Sequence, residues 1–202
     1  MKCTSLPRAG AFGAVFIMIA CAPIAALAHP SAPGHTQGII NGILHPLSGW
    51  DHLLAMLAVG IWSVQCGRNS RWLLPLAFAS TMVVGGIMGM TWRTQVPMLE
   101  QGIASTVLIL GLMLAGSVRV SPMAGSCVVA LFALFHGYAH GVEMPETVAG
   151  WDYGLGFVLA TVAINGAGIV AGQMMQGAKT KNLIRVTGAI IAMAGLLMIT
   201  RG

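Results

Sequence analysis

Charged residues are scarce in this sequence of 202 amino acids, since lysine, arginine, aspartate and glutamate together make up 7% of it. Soluble domains contain about 25% charged residues, so the scarcity argues against an ordinary soluble domain. Hydrophobic residues make up 56% of the chain, which predicts an integral membrane protein. The net charge of +5 does not indicate nucleic-acid binding, because the basic residues are spread thinly between apolar runs, as topology signals are.

Cysteine is also rare, and a nucleotide-binding motif is missing. The four cysteines show no CxxC spacing, which argues against a disulfide framework. The pattern GxxxxGK[ST] does not occur, so the chain carries no visible ATPase of its own. We therefore expect neither a prosthetic group nor ATP-driven chemistry.

The first 28 residues are typical of a signal peptide. A basic start and an apolar stretch precede Ala26-Leu27-Ala28, which matches a small-x-small cleavage pattern. We expect cleavage after Ala28, and a short external tail over residues 29–40. Two alternatives stay open: the segment is retained as an uncleaved helix, or a poor lipobox makes Cys21 a lipidated N-terminus.

Six apolar runs follow, each near the roughly 20 residues that a membrane-spanning helix needs. The predicted fold is therefore all-α, a polytopic membrane bundle of about six transmembrane helices that forms one domain over residues 29–202. If the mature N-terminus lies outside, the inner loops hold most of the basic residues, as the positive-inside rule requires. The predicted spans cover residues 43–65, 72–92, 99–118, 122–142, 153–175 and 183–200.

Two segments place ionisable side chains within these predicted spans. The first is His45-Pro46-Leu47-Ser48-Gly49-Trp50-Asp51-His52, and the second is His136-Gly137-Tyr138-Ala139-His140-Gly141-Val142-Glu143. An ionisable residue inside a membrane is costly and indicates a functional site. Pro46 suits a first helical turn, and a spacing of seven puts His45 and His52 on one face of one helix. The second segment forms a stripe at i, i+4 and i+7.

The topology places both stripes in the outer half of the bilayer, on antiparallel helices. We therefore predict that the first and fourth spans touch along these faces and hold a divalent metal ion. His52 and His136 form the expected deep pair, with Asp51 beside them. Imidazole and carboxylate ligands suit Ni²⁺, Co²⁺ or Zn²⁺. The alternative is that these are hydrogen-bonded structural histidines without a metal.

The pattern His45-Pro46-x-x-Gly49-x-Asp51-His52-x-x-x-Met56 resembles the first-helix motif of the HupE/UreJ family, and the second segment resembles that family's other histidine motif. The resemblance implies a permease of the bacterial inner membrane, with a periplasmic mature N-terminus, that carries Ni²⁺ or Co²⁺ to supply hydrogenase or urease. A cytosolic metallochaperone is the expected receiving partner, besides the ion and the bilayer. The implied metal-binding residues are His45, Asp51, His52, His136, His140 and Glu143.

A zinc-dependent intramembrane hydrolase is the alternative function, since three histidines and a carboxylate can activate water. The sequence offers neither a clear pocket nor a separate general acid, so transport is favoured and the chain is not expected to be an enzyme. A metal sensor or a metal-delivery protein is a further alternative. The remaining histidines, His29 and His35, are predicted to be solvated tail residues, with metal capture as the other interpretation.

Overall fold

The computed structural model describes residues 35–94, 96–144, 150–177 and 181–201. These ranges contain helices joined by short turns and no strand, which confirms the all-α prediction. The predicted signal peptide and His29 lie outside the described residues. In chain order the helices are α1 His35–Ser48, α2 Trp50–Cys66, α3 Ser70–Trp92, α4 Leu99–Ala115, α5 Pro122–Glu143, α6 Gly150–Met175 and α7 Lys181–Arg201.

The helices overlap the six predicted spans. One difference is that the first predicted span, residues 43–65, is divided between two helices. Four helices, α3, α5, α6 and α7, are long and apolar enough to cross a bilayer. Helix α4 has 17 residues, which is the lower limit of the usual range of roughly 17–25. Helices α1 and α2 qualify together, as a bent pair. The polytopic bundle is thus confirmed, and α1 and α2 form either a broken span or a re-entrant segment.

The break corrects the prediction of one continuous first helix. Helices α1 and α2 meet at 82° around Gly49, which has extended backbone angles (φ −95°, ψ 115°). Pro46 lies in the last turn of α1 instead of the first turn of a longer helix. Helix α1 begins at His35, so part of the predicted tail is helical. His45 and His52 consequently belong to two different helices and do not share one helical face.

Glycine contacts set the packing of the bundle. Gly137 and Gly141 on α5 face the backbone of α3, where a Cβ on Gly137 would overlap the carbonyl oxygen of Met82. Gly60 on α2 faces Gly168 on α6 in the same way, and α4 packs on α7 through Gly111. Such small faces let helices approach closely. The tight pairs α3/α5, α2/α6 and α4/α7 are therefore formed by helices that are not adjacent in sequence.

The two ends of the bundle differ in charge. At one end, Trp62 Nε1 and Gln65 Nε2 donate to the carbonyl oxygen of Val118, at 2.9 and 3.2 Å. The basic residues of this end within the described ranges are Arg68, Arg71, Arg119, Lys181 and Arg185. The opposite end carries the carboxylates and both histidine segments. The residues that define this acidic end are Asp51, Glu100, Glu143 and Asp152.

Candidate metal centre

Four histidine rings from three helices meet at the acidic end of the bundle. The His140 ring lies between the others, with its centroid 4.1 Å from that of His52 and 4.6 Å from that of His45. The His52 and His136 centroids are 5.0 Å apart. Helices α1, α2 and α5 therefore bring together all four histidines predicted from the sequence.

The Asp51 carboxylate fixes the orientation of His52. Asp51 Oδ1 lies 2.7 Å from His52 Nδ1 and also accepts the backbone N–H of His52, at 2.8 Å. An ionised carboxylate can only accept a hydrogen bond, so Nδ1 carries the hydrogen and donates it, and the Nε2 lone pair is left free. His52 Nε2 is buried and has no hydrogen-bond partner within the described ranges. This is the arrangement in which a histidine ligates a metal, with its other nitrogen held by a carboxylate.

The two histidines of α5 are buried more deeply and also have free nitrogens. His136 is fully buried and His140 is 3% exposed. In the part of the chain that the structure describes, His136 Nδ1 and both ring nitrogens of His140 lack a hydrogen-bond partner. Buried polar atoms are nearly always paired, so these ring nitrogens are candidates to bind a ligand. A cation that accepts nitrogen lone pairs would satisfy them.

His140 also belongs to a second, outer group of candidate ligands, together with His45 and Glu143. His45 Nε2 lies 3.3 Å from Glu143 Oε2. The ligand atoms of His45, His140 and Glu143 all lie within 4.8 Å of one another, the one such three-residue group among the described residues. Ligand atoms about 2.0–2.2 Å from one ion are no more than about 4.4 Å apart, so a small side-chain movement would bring all three onto an ion.

The geometry agrees with the predicted depth order of the side chains. His52 and His136 lie together with Asp51 beside His52, and His45 and Glu143 are the more exposed side chains, whereas His140, which groups with them, is buried. Gly137 and Gly141 pack α5 against α3, whereas the histidine rings beside them meet the rings on α1 and α2. The two stripes do converge, through side chains and not through close backbone packing.

Sequence reasoning missed the neighbours that enclose the histidines. Tyr153 and Phe157 on α6 cover the site, with the Phe157 ring centroid 4.2 Å from that of His140 and the Tyr153 centroid 5.9 Å from that of His45. Thr106 on α4 lies 2.8 Å from His136 Nε2. Tyr153 and Phe157 are four residues apart, a spacing that could have indicated that they share one face of α6. No pattern in the sequence indicates that Thr106 on α4 contacts α5.

An acidic cavity of about 260 Å³ opens beside these ligands. Asp51, His52 and Glu143 line it together with Glu100 and Gln101 from the start of α4. The structure gives Glu100 a defined position on the wall of the cavity that reaches His52.

We expect Gly49→Ala to weaken metal binding by disturbing the Asp51–His52 pair. A Cβ at Gly49 would lie 2.8 Å from Asp51 Oδ1 and 2.9 Å from His52 Nδ1, so both side chains would have to move. Loss of a residue that orients a ligand typically costs about 10–100-fold in metal affinity. Equilibrium dialysis of the purified protein against Ni²⁺ measures the change. The control is Gly154→Ala, whose Cβ meets no described atom within 4 Å; equal affinity in the two variants would contradict the expectation.

The fold and the site define a class: a helical membrane protein with a buried histidine cluster beside carboxylates. Comparison with known proteins gives the family. Residues 17–198 match the family model described as HupE / UreJ protein, so the chain belongs to the HupE/UreJ family. It is similar to the protein named Protein HupE of Rhizobium leguminosarum bv. viciae, with 36% identity over 181 residues that cover 90% of this chain and 94% of the relative. No solved structure matches the chain.

Proposed function

We propose that this protein is a divalent-metal permease of the bacterial inner membrane, with Ni²⁺ as its main substrate and Co²⁺ as a second one. The HupE/UreJ family, to which the chain belongs, is associated with nickel and cobalt supply to hydrogenase and urease. The metal-binding residues in this proposal are His45, Asp51, His52, His136, His140 and Glu143.

The observation that carries the proposal is the set of buried, unpaired histidine nitrogens at the end of a membrane bundle. The side chains of Glu143 and His45 are 52% and 31% exposed, whereas His140 and His136 are buried. An ion that enters from the acidic cavity would first meet carboxylates and then nitrogen ligands. Because each ligand replaces a water molecule, this order removes the hydration shell in steps.

The ligand types favour a borderline transition metal over calcium, magnesium or copper(I). Imidazole nitrogen suits Ni²⁺, Co²⁺ and Zn²⁺, whereas Cu(I) prefers thiolate or thioether sulfur and Ca²⁺ prefers oxygen. The described cysteines do not contribute, since Cys66 ends α2 at the basic end and Cys127 is exposed on α5. The two carboxylates, Asp51 and Glu143, offset the charge of a dication.

The membrane potential can drive inward movement of the ion. It supplies about 2.3 kcal/mol per elementary charge per 100 mV, hence roughly 4.6 kcal/mol for a dication. The sequence holds no Walker-type motif, which agrees with a secondary or facilitated mechanism. Release to a cytosolic metallochaperone belongs to the same proposal.

Uptake of radiolabelled Ni²⁺ into proteoliposomes with an imposed potential, negative inside, tests the function directly. We expect saturable uptake by the wild type, competition by Co²⁺, and loss of uptake in His52→Ala. The alternative zinc-dependent intramembrane hydrolase predicts instead turnover of a lipid or peptide and no accumulation of the ion. Metal-dependent turnover without uptake would overturn the permease proposal.

Topology gives a separate prediction. Both mature termini lie in the periplasm in this proposal, because the basic end of the bundle should face the cytoplasm and α7 runs from the basic end to the acidic end. We expect a C-terminal alkaline phosphatase fusion to be active and a C-terminal fusion to ordinary green fluorescent protein to be dark. The opposite pattern would place the metal site on the cytoplasmic side and contradict the proposed direction of entry.

A further inference from the structure

Thr106 on α4 is a polar residue buried against the deepest histidine. Its exposed fraction is 3%. The hydroxyl Oγ1 lies 2.7 Å from the carbonyl oxygen of Ile103, one turn earlier on the same helix, and 2.8 Å from His136 Nε2. The hydroxyl therefore has two hydrogen-bond partners. The carbonyl oxygen of Ile103 can only accept, whereas His136 Nε2 can donate or accept, depending on the tautomer.

These two distances decide which nitrogen of His136 carries the proton. A hydroxyl has one hydrogen to donate and lone pairs that accept. If it donates to the Ile103 carbonyl, His136 donates its Nε2–H to Oγ1, and the Nδ1 lone pair is free. The reverse assignment leaves a buried Nδ1–H without an acceptor among the described residues, which costs more than a lone pair that a ligand can use.

We propose that Thr106 is a positioning residue for the metal site, which holds His136 in the tautomer that presents Nδ1 to the ion. This inference rests on the proposed function, since it assigns a ligand atom within that site. It parallels the role of Asp51, which holds His52 in the tautomer that presents Nε2. The two deep histidines thus bind through different nitrogens, each with its other nitrogen hydrogen-bonded to a side chain of the protein.

The choice of a hydroxyl has an electrostatic reason. Asp51 and Glu143 already provide two negative charges for one dication. A third carboxylate at position 106 would lie beside a fully buried histidine, where an uncompensated charge is costly. Threonine supplies the acceptor without adding charge, because its own hydrogen is used on the Ile103 carbonyl.

Two pairs of matched variants test the inference by equilibrium dialysis of the purified full-length protein against Ni²⁺. Thr106→Val keeps the shape but removes the hydroxyl, and we expect its affinity to fall about 10–100-fold. Thr106→Ser keeps the hydroxyl and should stay within about threefold of the wild type. A thermal melt of each variant shows whether the fold is intact.

The second pair probes the ligand atom itself and does not depend on Thr106. The amide oxygen of asparagine reaches about the position of a histidine Nδ1, and that of glutamine about the position of Nε2. We therefore expect His136→Asn to retain more Ni²⁺ affinity than His136→Gln. The inference is overturned if Thr106→Val binds like the wild type, or if the glutamine variant binds more tightly.

Failure of the inference and failure of the proposed function give different results. If the wild type binds and takes up Ni²⁺ and His136→Ala does not, while Thr106→Val behaves as the wild type, then only the role of Thr106 is wrong. If the wild type neither binds nor takes up Ni²⁺, the proposed function fails, and with it the assignment of Nδ1 as a ligand.

Discussion

Metal uptake is expected to fall to background when His140 is replaced by alanine. His140 links the two ligand groups, since its ring lies 4.1 Å from that of His52 and 4.6 Å from that of His45. Its removal takes a ligand from the outer group and also removes the ring that connects this group to the deep pair. Loss of a residue that only orients a ligand lowers metal affinity or activity by about 10–100-fold. Loss of a ligand itself should cost more, so we expect the initial rate of Ni²⁺ uptake to fall by about 100-fold or more.

The matched control for His140→Ala is His35→Ala at the first residue of α1. The same substitution there should weaken uptake only partly, because the proposal assigns His35 no position in the site. Membrane fractionation and size-exclusion chromatography verify that both variants insert and remain monodisperse. Uptake above half of the wild-type rate in His140→Ala would contradict a transport route through the shared ligand.

Gly137→Ala is expected to destabilise the folded protein more than substitutions in the metal site do. A Cβ at Gly137 would overlap the Met82 carbonyl oxygen and lie 3.0 Å from Gly86 N. These atoms belong to the backbone of α3, so a rotamer change cannot relieve the overlap and the helices must separate. Overpacking typically costs about 1–3 kcal/mol, which for a chain of this size lowers the melting temperature by roughly 5–10 °C.

Gly166→Ala on α6 is the control for that measurement. Its Cβ meets no described atom within 4 Å, and alanine is favoured over glycine in a helix by about 1 kcal/mol. Its melting temperature should equal or exceed that of the wild type in the same detergent. If Gly137→Ala and Gly166→Ala have the same melting temperature, the close packing of α3 on α5 does not stabilise the protein as the glycine contacts indicate.

Much of the fold could be predicted from the sequence because a bilayer imposes strict demands on composition and length. The apolar runs located the helices of the bundle to within a few residues, and the end of α4 shows the usual size of error. That helix was predicted to reach residue 118 and ends at Ala115. Ser117 takes a left-handed conformation (φ 53°), which hydropathy does not detect.

The break between α1 and α2 could not be predicted from hydropathy, because the apolar pattern continues across it. The ambiguous residue is Pro46, which suits the first turn of a helix and can also occupy the last turn before a break. The choice depends on where the preceding helix begins. Residues 35–40 are polar enough to resemble a tail, and they belong to a helix that packs through Gly42 against the backbone of α6 at Tyr153.

In the metal site, too, the features set by local sequence could be predicted, whereas those set by packing between distant helices could not. The i, i+4 and i+7 stripe on α5 is a local pattern, so His136, His140 and Glu143 could be assigned to one face. The side chains that surround them depend on contacts between helices distant in sequence. Thr106 and His136 are 30 residues apart, and Tyr153 approaches His45 from α6.

The bend at Gly49 divides the ligands between helices that pack on different partners, since α1 packs on α6 through Gly42 and α5 packs on α3 through Gly137. His45 is attached to α1, whereas His52 follows the bend on α2, and His140 and Glu143 belong to α5. Rotation of α1 about Gly49 would withdraw His45 from an ion and leave His52 and His140 in place. The dissociation rate of the ion could then change with the angle of one short helix, while the equilibrium geometry of the deep ligands stays the same.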